Sequence, residues 1–524
     1  MITLTHSPRV FFLATALAFS APLAGVAQNI TLTSPDQAFK ATGEFVSFEN
    51  GVYLIRTSLG NMRVNASTVT CAGKACPSIE EKMPASEADV RFAGSDTLGE
   101  GLMPLLLAGY GASHNALVED IPSEDGSVTY ELIMDEGYGD PMGVFQVASS
   151  SSSNAFPELL AKSAEFGMAS RRIKRDEARA LAQDGAGSMI APEQEHIVAV
   201  DSLVVIVNPA NPVRSISMDN LARIYRGDIR NWTELGGPDL PIVAYSRPEG
   251  SGTQATFESN VFSRGAGVQT AQIADSNTSM SAAISADPSA IGFVGYAFIN
   301  NAKPVSLISE CGIESAADAF SAKTEEYPME RRLYIYTRQD NTTEAGQQFL
   351  DYALSSAADG VIEKSGYISL GVERVSQELA RNRVQTVMDK TSNVFELNLM
   401  REMLLEMYQW DRLSSTFRFA SGSNNLDRKS DLDLDRLIEY LQGQPEGTKV
   451  AIVGFTDSDG VFNANRTLSQ RRAHQVLTEI ESRANGTLSH ITFEAQGFGE
   501  LAPASCNTDS EGKHINRRVE VWIQ

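Results

Sequence analysis

The spacing of hydrophobic and polar residues divides the chain into regions of different predicted structure. Residues 29–82 contain short runs of strand-forming residues, such as 45–48 and 52–57, which are separated by turn residues. From about residue 88 to 372, short apolar strands such as 202–207 alternate with helical stretches, as is typical of an α/β fold with parallel strands. We therefore expect a small β module followed by a larger α/β domain.

The C-terminal region alternates between helix and strand periodicity in a simple order. Its first helix places four apolar residues at positions i, i+3, i+4 and i+7, namely Leu434, Leu437, Ile438 and Leu441. The full order is strand, helix, strand, helix, strand, strand, which predicts two helices packed on one mixed sheet, an α/β sandwich. The charged stretch before this region has a helical pattern, and we interpret it as a connector.

The N-terminus has the pattern of a secretory signal peptide. Arg9 precedes a short apolar run at residues 10–19, and the small residues Gly25 and Ala27 suit cleavage before residue 28. The run is too short to predict a membrane span, although an uncleaved anchor is the alternative. The predicted organisation is a signal peptide at 1–27, a β module at 28–85, an α/β domain at 86–372, a connector at 373–412 and a C-terminal domain at 413–524.

Composition and charge restrict the partners. With 524 residues, of which 42% are hydrophobic and 21% charged, the chain is an ordinary globular protein of several domains. The net charge of −23 argues against binding to nucleic acid, because no basic stripe is present. Any anion must be captured locally, by backbone N–H groups and one or two arginines.

The four cysteines suggest an oxidising compartment. Cys71 and Cys76 are five residues apart, a spacing that predicts a disulfide within the β module. Cys311 and Cys506 lie in different predicted domains and are either free or bridge the two domains. The six histidines form no metal-ligand spacing, so we expect neither a metal nor another cofactor.

The loops of the C-terminal domain carry a distinctive string. Residues 454–460 read GFTDSDG, residues 463–473 read NANRTLSQRRA, and residues 516–519 read NRRV. This string resembles the OmpA-like family over about 415–524. The resemblance implies that Asp457 and Arg472 grip the diaminopimelate of a peptidoglycan stem, with Thr456, Asn465 and Arg518 in support. A carboxylate suits the ammonium of that residue and a guanidinium suits its carboxylate. The alternative is an ordinary ion pair.

A second string lies in the α/β domain, at residues 245–257 (YSRPEGSGTQATF). A strand ends, a glycine-rich turn follows and a helix begins, so that Gly250 and Gly252 let the backbone approach a ligand. Ser251 and Thr253 place hydroxyls beside the free N–H groups of the helix N-terminus, which is a favourable site for an anion. Arg247 adds a positive charge that can bind two oxygens.

Further strings at 224–237, 287–296, 332–337 and 364–370 accompany this turn. Together they resemble the phosphate-binding, periplasmic substrate-binding proteins of ABC transporters over about 88–372. The resemblance implies two α/β lobes that close over one anion. The residues that it places at the anion are Thr97, Leu98, Ser152 or Ser153, Ser170, Arg247, Ser251, Gly252 and Thr253.

One position departs from the family pattern. Some members have an aspartate directly after the serine that corresponds to Ser170, and this chain has Arg171. A carboxylate acceptor distinguishes protonated phosphate from sulfate, and Asp96 is the candidate for that role here. Phosphate is the expected ligand, with other oxyanions as alternatives.

These observations predict a non-enzymatic receptor in the periplasm, associated with the cell wall or outer membrane. It would bind phosphate or a related oxyanion, attach to peptidoglycan, and serve uptake or sensing, with an ABC permease as a further partner. A structural envelope linker that has lost anion binding is one alternative. A phosphatase-like enzyme is the other, but no histidine lies in an anion loop to activate a serine.

Overall fold

The computed structural model describes residues 28–35, 37, 39–49, 52–77, 87–137, 139–262, 267–377, 394–419, 426 and 428–524. The predicted signal peptide lies outside these residues. Within the described ranges, no helix combines the length and the apolar character that crossing a membrane requires. The chain forms two compact units: one ends at residue 84 and includes 137–140, and the other contains the rest.

The N-terminal unit is a small antiparallel sheet, as predicted. Its strands pair in the order β4-β3-β2-β1-β5. Their bounds are β1 Asn29–Thr33, β2 Lys40–Glu49, β3 Val52–Thr57, β4 Gly60–Asn65 and β5 Thr70–Ala72, with a 3₁₀ turn at Ala66–Thr68. Alternate residues such as Tyr53 and Ile55 are fully buried in its core. The expected disulfide between Cys71 and Cys76 is present.

The α/β domain contains fourteen strands and ten helices among its described residues. The strands are β6 Val90–Ser95, β7 Leu117–Pro122, β8 Val128–Ile133, β9 Pro141–Ser150, β10 Phe166–Ala169, β11 Glu195–Val207, β12 Ser215–Ser217, β13 Val243–Ser246, β14 Gln272–Ile273, β15 Ala290–Gly295, β16 Lys303–Pro304, β17 Ser306–Ile308, β18 Glu314–Ser315 and β19 Glu330–Thr337. The helices are α1 Met103–Ser113, α2 Met134–Gly137, α3 Ala155–Ala161, α4 Arg175–Gln183, α5 Met218–Arg226, α6 Gly252–Val261, α7 Asn277–Ala286, α8 Ala319–Lys323, α9 Glu344–Leu354 and α10 Asp359–Lys364. A π-helical turn, Thr97–Leu102, precedes α1, and 3₁₀ turns lie at Trp232–Leu235, Tyr296–Phe298 and Ser356–Ala358.

The main sheet is mixed, with the order β14-β13-β15-β11-β19-β10-β6-β9-β8-β7. Only the pairs β13–β14, β13–β15, β6–β9 and β6–β10 are parallel. The expectation of a parallel sheet therefore holds for part of it. The remaining pairs are antiparallel because hairpins and the long strands β11 and β19 return the chain in the opposite direction.

Strands β11 and β19 divide this domain into two lobes. Residues 195–202 of β11 pair with β19, and residues 203–207 pair with β15. Lobe 1 consists of β6–β10 with α1, α3, α4, α9 and α10, and its core includes Leu106 and Phe349. Lobe 2 consists of β12–β18 with α5–α7, and its core includes Leu221 and Phe257. The segment common to both lobes is the hinge.

The C-terminal domain has a five-stranded sheet in the order β20-β21-β24-β22-β23. Its strands are β20 Arg374–Ser376, β21 Asp411–Arg418, β22 Lys449–Gly454, β23 Thr492–Gly497 and β24 Arg518–Ile523, and its helices are α11 Val394–Met407, α12 Arg428–Gln442, α13 Phe462–Ala484 and α14 Ser510–Asn516. Helices α12 and α13 cover one face, and the buried residues of α12 are those that the heptad-like spacing predicts.

The described parts of the predicted connector, residues 373–377 and 394–412, contact this domain. Residues 374–376 pair with the edge of β21, and α11 packs Met403 and Met407 against Trp522 on the second sheet face. The second disulfide joins Cys311 of lobe 2 to Cys506, so the bridging alternative is the correct one.

Candidate functional site

The predicted anion-binding segments all follow the carboxyl ends of strands. Asp96 and Thr97 follow β6, Ser152 follows β9, and Ser170 follows β10. These three strands are parallel neighbours, so their ends meet at one edge of lobe 1. Arg247 follows β13 in lobe 2, and the structure brings it against that edge.

Arg247 is almost fully buried at the contact between the lobes. Its Nη2 donates to Asp96 Oδ2 at 2.7 Å and to the carbonyl of Asp275 at 3.0 Å, and its Nε donates to the carbonyl of Ala274 at 3.0 Å. Its Nη1 is buried and has no acceptor among the described residues. The guanidinium is therefore fixed on one side and unsatisfied on the other.

The serine loop and the glycine-rich turn pack directly on each other. The hydroxyls of Ser152 and Ser170 lie 3.2 Å apart, and Ser153 donates to the carbonyl of Gly250 at 3.1 Å. A Cβ at Gly252 would lie 2.3 Å from Ser170 Oγ and 2.4 Å from Ser152 Oγ. Glycine is therefore required here because the first turn of α6 touches both hydroxyls.

Thr97 and Leu98 contribute in different ways. The hydroxyl of Thr97 accepts from Asn277 Nδ2 of lobe 2 at 3.4 Å, and Asn277 Oδ1 is buried with no donor among the described residues. Asp96 Oδ1 accepts from the Thr97 N–H at 2.8 Å. The side chain of Leu98 lies in the core of lobe 1, which leaves only its backbone for a ligand.

A second arginine, Arg331 of β19, was not predicted. Its Nη1 donates to the hydroxyl of Thr253 at 2.8 Å, and its Nε and Nη2 donate to Asp201 Oδ2 at 2.9 and 2.6 Å. Both charged side chains are buried. The sequence does carry a signal for it, namely the alternation of side chains along a strand. Arg331 lies on the same face of β19 as Leu333 and Ile335, which are buried.

Ser251 and Arg171, two further residues of this region, each have a partner within the protein. Ser251 Oγ caps α6 by accepting from Gln254 N at 3.4 Å. Arg171 pairs with Glu177 at 2.7 Å and lines an adjacent pocket of about 560 Å³ with Arg247 and Ser251. No group of three histidine, cysteine or acidic residues in the described ranges is placed to hold a metal ion.

Acidic groups lie close to this site. Burial raises the pKa of Glu100, the charge of Asp96 raises it further, and Arg247 lowers it. Tyr367 donates its hydroxyl to the carbonyl of Thr97, and burial raises the pKa of that hydroxyl. The positive charge of Arg247 is therefore local and largely balanced.

The second predicted site lies in the C-terminal domain around Asp457. Asp457 Oδ2 accepts from Arg517 Nη1 at 2.7 Å. Arg472 has its Cζ 5.1 Å from the centre of the Phe419 ring, and its Nε and Nη1 are buried without an acceptor in the described structure. Burial lowers the pKa of Arg472, Arg517 lowers it further and Asp457 opposes both. The two arginines and the aspartate therefore form one cluster.

The three residues predicted to support this site have different surroundings. Thr456 Oγ1 is buried without a partner among the described residues, and Asn465 Nδ2 donates to Glu500 Oε2 at 2.6 Å. Arg518 is fully buried: its Nε donates to Glu520 Oε1 at 2.8 Å, and its Cζ lies 4.4 Å from the centre of the Phe455 ring. Arg518 is therefore enclosed in the domain, and Arg517, the other arginine of the NRRV string, contacts Asp457.

Comparison with known proteins agrees with both resemblances. A family model described as a PBP superfamily domain matches residues 82–357, and a model of the OmpA family matches residues 418–517. The phosphate-binding protein PstS of Bacillus subtilis is 34% identical over 185 residues, which are 35% of this chain and 60% of that protein. Outer membrane porin F of Pseudomonas aeruginosa is 29% identical over 113 residues, which are 22% of this chain and 31% of that protein.

Among solved structures, an ABC-type phosphate transport receptor from Vibrio cholerae matches with a TM-score of 0.39 and 23% identity, over 53% of this chain and 99% of that one. The chain spans about 60% of the length of the Bacillus relative. Both matched families consist of binding proteins and not of enzymes. Because the first model covers more than half of the residues, the chain belongs to the PBP superfamily, and its C-terminal domain is an OmpA family domain.

Proposed function

We propose that this protein is a periplasmic receptor that binds phosphate or a related oxyanion between its lobes and attaches non-covalently to peptidoglycan through its C-terminal domain. Tethering keeps the receptor at the cell wall without new contacts to the anion. The receptor serves phosphate uptake, with an ABC permease as its partner, or phosphate sensing. The similarity to the phosphate-binding protein PstS supports the choice of ligand.

The observation that carries the anion proposal is the unsatisfied Nη1 of Arg247. A buried charged donor without an acceptor costs about 1–3 kcal/mol or more. Arg247 lines one pocket with Ser153 and with Ser251 at the N-terminus of α6. The next residue of that turn, Gly252, lies against the hydroxyls of Ser152 and Ser170. An oxyanion would supply the missing acceptor through a charge-assisted hydrogen bond.

Asp96 supports phosphate over sulfate. Phosphate retains a proton at neutral pH and can donate it to a carboxylate, whereas sulfate cannot. Asp96 is the carboxylate that contacts Arg247, and Arg171 is bound to Glu177. We therefore assign the acceptor role to Asp96.

The wall-binding proposal depends on Asp457 and Arg472. Two nitrogens of Arg472 and the hydroxyl of Thr456 are buried without partners among the described residues, beside a carboxylate that is almost buried. A diaminopimelate side chain offers an ammonium and a carboxylate, which would satisfy these groups together. Arg517 replaces Arg518 as the supporting arginine in this proposal.

Calorimetric titration with phosphate and with sulfate tests the receptor function. Arg247→Ala should abolish binding, whereas the exposed Arg223→Ala on α5 should bind as the parent does. If the parent binds neither anion at millimolar concentration, the receptor function is wrong and the structural linker is favoured.

Sedimentation with purified peptidoglycan tests the anchor. Asp457→Ala and Arg472→Ala should leave the protein in the supernatant. Arg471→Ala is the matched control, because Arg471 is the exposed neighbour on the same helix. Equal sedimentation of all three variants would exclude this site as the anchor.

A further inference from the structure

The C-terminal domain is fastened covalently to lobe 2. Cys311, between β17 and β18, forms a disulfide with Cys506, which precedes α14. Beside it, the hydroxyl of Thr508 donates to the carboxylate of Glu310. Strand β17 pairs with β12, and Leu307 lies in the core of lobe 2. The hairpin that carries Cys311 therefore moves with lobe 2.

The same domain also binds lobe 1, through the exposed side of α12. Arg436 Nη1 donates to Asp359 Oδ2 at 2.8 Å, and Arg436 Nη2 donates to the carbonyl of Leu354 at 2.6 Å. The two charged side chains are only 13% and 19% exposed. Next to them, Ser356 donates to Glu439 at 2.7 Å. Leu354 and Asp359 lie at the ends of α9 and α10, whose apolar residues are part of the lobe 1 core.

Between these two attachments, the domain contacts the segment that leads into β19 of the hinge. Arg412 of β21 binds Glu326 through both terminal nitrogens, at 3.1 and 2.6 Å. Arg418 of the same strand pairs with Glu325 and donates to the carbonyl of Thr324 at 2.7 Å. Residues 324–326 lie just before β19. One domain thus touches lobe 2, the segment leading into the hinge, and lobe 1.

We infer that the C-terminal domain has a second function besides wall attachment: it braces the two lobes in the closed arrangement and limits entry and release of the anion. The limit on exchange rests on the proposed anion function. Lobe opening separates Asp359 from Cys311, yet both are attached to the same domain. Because the disulfide keeps that domain with lobe 2, opening must break the contacts of Arg436 with lobe 1.

Both attachments should be needed to keep the lobes closed. Without Arg436, the domain can leave lobe 1 and remain with lobe 2. Without the disulfide, it can remain with lobe 1 and leave lobe 2. In either variant the lobes should separate more readily, so the rates of phosphate association and dissociation should both increase. The loss of one charge-assisted contact should increase each rate by about tenfold.

The direct test is the distance between the lobes in the full chain. All four native cysteines are in disulfides, so Ala161→Cys in lobe 1 and Asp219→Cys in lobe 2 introduce unique thiols for spin labels. Pulsed electron paramagnetic resonance then measures the distance between the labels, without and with phosphate, in the parent and in two variants that each lack one attachment. These braceless variants are Arg436→Ala and the Cys311→Ser, Cys506→Ser double mutant. Arg483→Ala is the control, because its ion pairs lie within the C-terminal domain.

The brace predicts one short distance in the parent and in the control, with or without phosphate. Each braceless variant should gain a second, longer distance that phosphate suppresses. A long distance in the unliganded parent, or unchanged distances in both variants, would overturn the brace. Stopped-flow phosphate rates form the second arm. A parent that binds no phosphate disproves the receptor function alone, and the distances still decide the brace.

Discussion

Glu330, the first residue of β19, should make the folded protein less stable as the pH rises from about 4.5 to 7. Its Oε2 is buried and has no donor among the described residues. Burial raises the pKa of this carboxyl from its ordinary 4.5 to about 7, although Lys429 and Arg418 lower it. The folded chain therefore holds the Glu330 proton more tightly than the unfolded chain does.

The magnitude follows from these two values. Below pH 4.5 both states are protonated and Glu330 has no effect on the free energy of unfolding. As pH rises towards 7, the unfolded chain loses the proton first, and the folded state becomes relatively less stable. A difference between 4.5 and about 7, at about 1.4 kcal/mol for each pH unit, corresponds to about 3 kcal/mol lost above pH 7.

Substitution of Glu330 by glutamine removes this titration and retains the shape of the side chain. Urea unfolding of the parent and of Glu330→Gln at pH 5 and pH 8 should show the parent losing about 2–3 kcal/mol relative to the variant between the two pH values. Any free-energy cost of burying the glutamine amide is the same at both pH values, so it cancels when the two pH values are compared. Glu314→Gln, at an exposed position of β18, is the control. If parent and variant respond equally to pH, the buried carboxyl does not titrate as argued.

Four further substitutions probe the two sites. Asp96→Asn keeps an acceptor at the same place but removes the carboxylate, so calorimetry should show the preference for phosphate over sulfate falling by about tenfold or more. Arg331→Met leaves the buried Asp201 without its cationic partner and should lower stability by about 3–5 kcal/mol in thermal unfolding. Arg517→Ala should weaken sedimentation with peptidoglycan and leave the melting temperature unchanged, whereas Arg518→Ala should lower the melting temperature because that guanidinium is buried.

Local sequence patterns predicted those parts of the fold that depend on local interactions. The buried face of α12 and the apolar face of β24, which carries Val519, Val521 and Ile523, follow directly from residue spacing, although β24 is buried on both faces. Strand β20 was not predicted, because three residues carry no periodicity and their partners in β21 are distant in the sequence, as Val375 and Arg412 are. The sequence could not identify the disulfide partner of Cys311 for the same reason, because Cys506 lies 195 positions later.

The candidate anion site shows the same division between local and distant information. Arg247, Ser251 and Gly252 belong to one continuous string that signals a strand, a turn and a helix N-terminus. Arg331 and Asn277 reach the same place from separate segments, and neither stands in a recognisable motif. Their position depends on how β19 and α7 pack, which no short window of sequence contains.

The paired arginines explain how a chain with a net charge of −23 would hold an anion. Arg247 is bound to Asp96, and Arg331 is bound to Asp201, so each positive charge has a carboxylate within 2.7 Å. Two such pairs contribute little net field beyond the Debye length of about 8 Å at physiological ionic strength. Binding must then come from short-range donors, namely Arg247 Nη1, the serine and threonine hydroxyls and the free N–H groups of α6. Because such donors act only on contact, the acidic surface would not prevent the proposed binding once an anion had entered the cleft.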